Sequence, residues 1–316
     1  MRLNRDYRFW LDAAFKVLIV AALLYILYQE IGGQERLTDL WEQLCYRLGE
    51  SSKWWLLPAI LLMPVNWWLE SWKWQRLLRP FWPIKPWQAF KAVASGITLS
   101  LFTPNRIGDY GGRILAVPAR HNWHAVVATL AGNVAQLLAL FTGGLLGALY
   151  YLEVQGGLPR LLISSFWWVL IRRFTRRQLA EALLLAFARY SVYCLQYYLM
   201  IRFFGISAPL IGALSGIATI FLFQATVPLP PVAALLARGE AALLVWAPFS
   251  ANELSILGAT FGLFILNLAF PALLGVMFIV KINVLKSLGY DANAPENQRN
   301  GVPGSFPDRH VEPSSE

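Results

Sequence analysis

The sequence predicts an all-α fold: a polytopic membrane helix bundle with about six through-spans and two re-entrant broken hairpins of opposite orientation. Three observations predict it. Of 316 residues, 57% are hydrophobic and only 14% charged, where a soluble domain carries roughly 25% charged residues. Mean hydropathy is +0.48. Apolar runs of about 18 residues or more recur, the length that crosses a ~30 Å hydrocarbon layer. Basic residues gather at the ends of these runs, as the positive-inside rule requires. The net charge of +9 therefore points to anionic lipid head groups rather than to nucleic acid.

Each element follows in order. Residues 12–29 read as a retained first span, since the run lacks a small-residue cleavage site. Arg2, Arg5 and Arg8 precede it and place the N-terminus in the cytoplasm. Residues 34–50 carry Leu37, Leu40, Trp41, Leu44 and Leu48 at helical spacing, the mark of an amphipathic surface helix. The second span, 54–72, has Trp54, Trp55, Trp67, Trp68, Trp72 and Trp74 toward its ends, as in an aromatic belt. Lys73, Arg76, Arg79 and Lys85 return the chain to the cytoplasm. Residues 87–118 form the first broken hairpin and 124–151 a long span. A short run, 158–171, ends at Arg172, Arg173, Arg176 and Arg177. Residues 180–203 cross again, 209–227 and 231–247 form the second hairpin, broken at Val227–Pro231, and 253–280 is the last span. The membrane domain covers 1–290, and 291–316 is polar enough to read as a disordered cytoplasmic tail.

The topology closes only if both broken segments are hairpins. Both termini are then cytoplasmic, and the protein is expected in the cell (inner) membrane. The first hairpin enters from the cytoplasm and the second from outside, the pattern of an inverted-repeat transporter, although no clear sequence repeat accompanies it. Cys45 and Cys194 fall in different settings and predict neither a disulfide nor a metal framework.

The stretch Ser100–Arg113, SLFTPNRIGDYGGR, carries the chemistry. Pro104 stops the preceding helix, and irregular backbone at membrane depth is tolerated only when buried in protein or lining a wet cavity. Asp109 is placed to cap a second short helix, and Gly111 and Gly112 let a backbone or a ligand come close. Asp109 and Arg113 form a favourable i,i+4 pair, whereas Arg106 has no such local partner. Guanidinium groups beside a helix N-terminus suit a phosphate-bearing head group. The plainer alternative is a cytoplasmic loop with a solvated Arg–Asp pair.

Other polar groups lie in apolar surroundings. Asn66, Glu70 and Lys73 share a face of the second span, and Lys73 reads as the interfacial partner of Glu70. Asn133 and Gln136 share a face of the 124–151 span. Arg189 stands about nine residues into its span, too deep for snorkelling, with Gln196 seven residues on. Arg238 and Glu240 are two apart and point to different faces. A single Asn or Gln is commonly interhelical glue; several arginines at depth are harder to explain so. The candidate substrate-binding set is Glu70, Arg106, Asp109, Arg113, Arg189, Gln196 and Arg238.

Pro104, Arg106, Gly108, Asp109 and Arg113 fit a segment of the form apolar-apolar-Pro-x-Arg-x-Gly-acid followed by Arg. This resembles the transmembrane region of the lysylphosphatidylglycerol synthase/flippase family, with Asp109 where glutamate is commoner. NWWLESWKW (66–74), ARYSVYCLQYY (188–198) and the proline-broken hairpin ending in ARG (237–239) are weaker matches, and the resemblance extends over about 10–285. The outer hairpin, PLPPVAALLARGE, lacks the family's paired glycines, and Glu240 comes later than the family's glutamate. About 30 residues follow the last span, too few for the soluble aminoacyl-transfer domain of some members. The resemblance thus implies the lipid-translocating part alone.

The resulting expectation is a lipid flippase or transporter, not an enzyme, with no cofactor. Its expected partners are the membrane and an anionic phospholipid or polyprenyl-phosphate-type lipid, not nucleic acid; a homo-oligomer or a partner enzyme is compatible. The alternatives are a membrane scaffold for a lipid- or glycan-modifying enzyme and an intramembrane enzyme. IGDYGG is similar to an aspartyl-protease motif, but that chemistry needs two carboxylates sharing a proton. Only Glu70 and Glu240 could partner Asp109. His121 and His124 sit beside Arg120 and read as interfacial, and no P-loop for ATP is present.

Overall fold

The computed structural model describes residues 37–50, 52–101, 103, 107–154, 177–226 and 231–281, together with 14, 17, 18, 21 and 25. The first span (12–29) apart from those five residues, the 158–171 run with Arg172, Arg173 and Arg176, most of the 227–231 break, and the 291–316 tail lie outside the described residues. The described residues are mostly helical. In chain order they are α1 (Leu37–Gly49), α2 (Lys53–Leu78), α3 (Pro86–Ser100), α4 (Gly108–Ile114), a 3-10 turn (Ala119–His121), α5 (Asn122–Val154) and α6 (Arg177–Phe203). Then come α7 (Leu210–Thr226), α8 (Pro231–Trp246), α9 (Glu253–Phe264), a π turn (Ile265–Ala269) and α10 (Phe270–Lys281).

Helix lengths sort these elements. At 1.5 Å per residue α2 and α6 are about 39 and 40 Å long, ample for a bilayer, while α3, α7 and α8 reach only about 22 to 26 Å. Among the described residues, Ala119–Gly147 and Glu253–Val280 are both long and apolar enough to span. Helices α2 and α6 are long but less apolar, because they carry Glu70, Lys73, Arg76, Glu181 and Arg189. Outward faces are oily: Val127, Leu130, Val134, Leu137, Phe141 and Leu145 repeat at helical spacing along α5 and are exposed. Such a stripe suits lipid rather than water. The chain is an integral membrane protein.

Two apolar cores share the long helices. One gathers Tyr197, Phe203, Ile217, Ile220, Trp246 and Ile256. The other gathers Trp74, Leu78, Val93, Ile97, Ala128 and Ala186. Trp54, Trp55, Trp68 and Trp72 are exposed as an aromatic belt requires, but Trp67 and Trp74 are buried. Trp74 is turned inward because its Nε1 donates to Thr129 Oγ1 at 3.1 Å. Cys45 is exposed, Cys194 is buried, and both are free thiols.

The contact between α3 and α4 is built on small residues. A Cβ on Gly112 would collide with the backbone of Gly96 and Ser95, and one on Gly96 with Asp109. That closeness pins α4 against α3. Asp109 does not cap α4: the helix begins one residue earlier and the carboxylate turns to Arg113. Thr103 does the work instead, its Oγ1 accepting from Gly108 N at 2.6 Å. Helix α10 packs on α3 from the other side, where Thr98 Oγ1 donates to Ala272 O at 2.7 Å.

A Gly112→Ala variant is expected to lose thermal stability by about 1–3 kcal/mol, the usual cost of overpacking. Gly111→Ala, whose Cβ meets only Leu99 Cδ1 at 3.6 Å, is expected to melt like wild type in the same detergent. Equal melting of both variants would contradict the packing described.

Candidate functional site

Sequence spacing places Asn66, Glu70 and Lys73 on one face of α2, and all three are buried. A lone carboxylate there would be untenable, because desolvating a charge costs several kcal/mol after relaxation. Three cations meet it. Lys73 Nζ lies 2.7 Å from Glu70 Oε2. Arg113 Nη2, from α4, donates to Glu70 Oε1 at 2.9 Å. Arg189 Nη1, from α6, lies 3.1 Å from Oε2. Lys73 is only 1% exposed, which corrects the interfacial reading.

Arg113 is anchored twice more. Its Nε donates to Asp109 Oδ1 at 2.8 Å and its Nη2 to Oδ2 at 2.9 Å. The i,i+4 spacing expected from sequence is thus realised, in a buried setting rather than a solvated one. The guanidinium also stands 5.8 Å from the Trp74 ring centroid, within cation–π range.

A ring of amides extends the network. Arg189 Nε donates to Asn66 Oδ1 at 2.9 Å. Gln136 Oε1, from α5, accepts from Lys73 Nζ at 3.2 Å and from Arg189 Nη1 at 3.3 Å. Asn66 Nδ2 reaches Asn267 Oδ1 at 2.7 Å and Gln196 Oε1 at 3.4 Å. Asn267 sits in the π turn, a feature that often marks functional sites because it redirects one side chain within a helix. Asn133 borders the site, its Nδ2 donating to Tyr110 Oη at 3.4 Å.

Two observations on this network bear on its chemistry. It holds three cations, Lys73, Arg113 and Arg189, against two carboxylates, Glu70 and Asp109, a surplus of one positive charge among the described residues. Arg113 Nη1 is buried and finds no acceptor among them. The centre of the network is also closed: Glu70, Lys73, Asp109 and Arg113 are each at most 4% exposed, while the Arg189 side chain is 12% exposed.

Of the candidate residues, Glu70, Asp109, Arg113, Arg189 and Gln196 come together in this one network. Arg106 lies outside the described residues. Arg238 is elsewhere, its guanidinium 5.8 Å from the Phe264 ring centroid, and Glu240 is exposed. His121 and His124 stack on Trp82 and Phe81 beside the 3-10 turn. No group of three or more metal-type ligands occurs among the described residues. Asn267 escaped sequence reasoning, although a lone amide inside the apolar 253–280 run was a usable signal.

A family model described as "Lysylphosphatidylglycerol synthase TM region" matches residues 13–172. The match takes in Glu70, Lys73, Asp109, Arg113 and Gln136, and stops short of Arg189. No curated protein and no solved structure matches the chain.

Glu70→Gln would leave three cations facing one carboxylate, and a loss of about 3–5 kcal/mol is expected, as when one partner of a buried pair is removed. Adding Lys73→Met returns the surplus to its original value and is expected to recover part of the loss. A double-mutant cycle by thermal unfolding checks this, and strict additivity would show that the two residues do not interact.

Proposed function

The chain belongs to the lysylphosphatidylglycerol synthase transmembrane-region family, and from that membership we propose that it is a flippase for an anionic, phosphate-bearing lipid. The observation that carries the reading is the surplus cation of the Glu70 network, counted with Lys73 protonated, together with an Arg113 Nη1 that finds no acceptor among the described residues. A network serving stability alone gains nothing from an unbalanced buried charge, which burial penalises. A phosphodiester oxygen would supply both the missing charge and the missing acceptor, and guanidinium groups bind phosphate with paired hydrogen bonds.

In this reading the head group enters a polar path between the two hairpins while the acyl tails stay in the bilayer. The closed packing is then an occluded state that must open during transfer, with α4 and α6 separating around Glu70. Opposed entry of the hairpins, with cytoplasmic termini in the inner membrane, belongs to the same proposal. Their short helices support it, since α3, α7 and α8 are shorter than a ~30 Å core.

A second reading draws on the same closure. A closely packed network joining α2, α4, α5, α6 and the π turn is what a rigid scaffold for a lipid- or glycan-modifying enzyme would contain. The two readings part in one assay. Purified protein is placed in liposomes with tail-labelled phosphatidylglycerol or phosphatidylcholine, and transfer is followed by dithionite quenching. A flippase of this kind moves the anionic lipid faster than the zwitterionic one. Arg189→Gln is expected to slow that transfer about tenfold or more, since a charge-assisted hydrogen bond is worth about 1.5–3 kcal/mol. A folded wild-type protein that transfers neither lipid would favour the scaffold.

A further inference from the structure

Resting on the anionic-lipid reading, we propose that the network takes up one proton together with each anionic head group, and that Lys73 Nζ carries it. Charge accounting leads there. Arginine stays protonated in proteins, so Arg113 and Arg189 are fixed cations. Lysine is the one cation here that burial can discharge. With Lys73 protonated the described network carries a surplus of one positive charge; with Lys73 neutral it carries none. An empty site without the proton and an occupied site with it are therefore both electrically balanced. A monoanionic phosphodiester and one proton would enter as a neutral pair.

The surroundings of Lys73 fit a carrier. Glu70 faces it from its own helix at 2.7 Å. Arg113 and Asp109 of α4 and Arg189 of α6 meet the same carboxylate or its partner. From α5 it meets the neutral Gln136, whose Oε1 accepts at 3.2 Å. Lys91 of α3 turns away, to the Trp87 and Phe278 rings. A neutral Lys73 amine keeps N–H groups to donate to Gln136 and Glu70, so the network survives loss of the proton. The step balances as amine plus solvent proton giving ammonium, with no other reactant. Linkage then requires that the anion raise the site's hold on the proton and the proton its hold on the anion by the same factor.

The test is calorimetric titration of the purified protein in phosphatidylcholine nanodiscs with dihexanoylphosphatidylglycerol. It is run in buffers of different ionisation enthalpy, from neutral to alkaline pH. Wild type is expected to take up close to one proton per lipid bound on the alkaline side. Its affinity there should fall by about tenfold per pH unit. Lys73→Arg, with a fixed charge, and Lys73→Gln, with none, are each expected to bind without proton uptake and with no such slope. Lipid binding without uptake in wild type overturns the proton proposal and leaves the flippase reading standing. Uptake that persists in both variants overturns the assignment to Lys73. No selective binding of the anionic lipid overturns both the proposal and the reading it rests on.

Discussion

One carboxylate organises the interior. Glu70 is buried in a long helix and is held by cations from its own helix, from the short helix of the first hairpin and from α6. A buried charge persists only when paired, so the presence of Glu70 dictates where these elements meet. Lys73 and Arg189 also converge on Gln136, which brings α5 in. Asn66 then ties α6 to the π turn through Arg189 and Asn267. Apolar packing around this centre contributes bulk stability, but in a membrane it sets position weakly, because lipid tails are as apolar as leucine. Polar contacts and small-residue contacts choose the geometry. Gly96 and Gly112 show the second kind, letting α4 come near enough to α3 to aim Arg113 at Glu70.

The energetic logic connects stability to function. Removing either carboxylate leaves a further cation unpaired, so the network resists loss of Glu70 or Asp109. Counted with Lys73 protonated, the same network carries one cation more than its carboxylates balance among the described residues, and Arg113 Nη1 has no acceptor among them. A site that is complete except for one anion is stable enough to fold and incomplete enough to bind. The family match ends between these parts: it includes the α2 and α4 members and excludes Arg189. The C-terminal half of the chain thus supplies the third cation.

Much of this was legible in the sequence, and the reasons are physical. Hydropathy and arginine placement gave the helical membrane class, and boundaries such as 54–72 and 180–203 fell inside the observed helices. Charges within apolar runs are costly, so Glu70, Arg113, Arg189 and Gln196 stood out before any coordinates. What spacing could not reveal was who meets whom. Lys73 looked interfacial because it begins a basic run, yet tertiary packing turns it inward. Asp109 looked like a cap because it opens a helix, yet a buried arginine outbids a backbone N–H. Asn267 looked like one amide among apolar residues, and only the π turn aims it at Asn66.

The most direct measurement of the central claim is an experimental structure of the protein in nanodiscs containing phosphatidylglycerol. The account predicts head-group density within hydrogen-bond distance of Arg113 Nη1, with the Glu70 network opened around it. Density confined to the outer surface, over a network still closed as described, would contradict the account and leave a structural ion-pair lattice in its place.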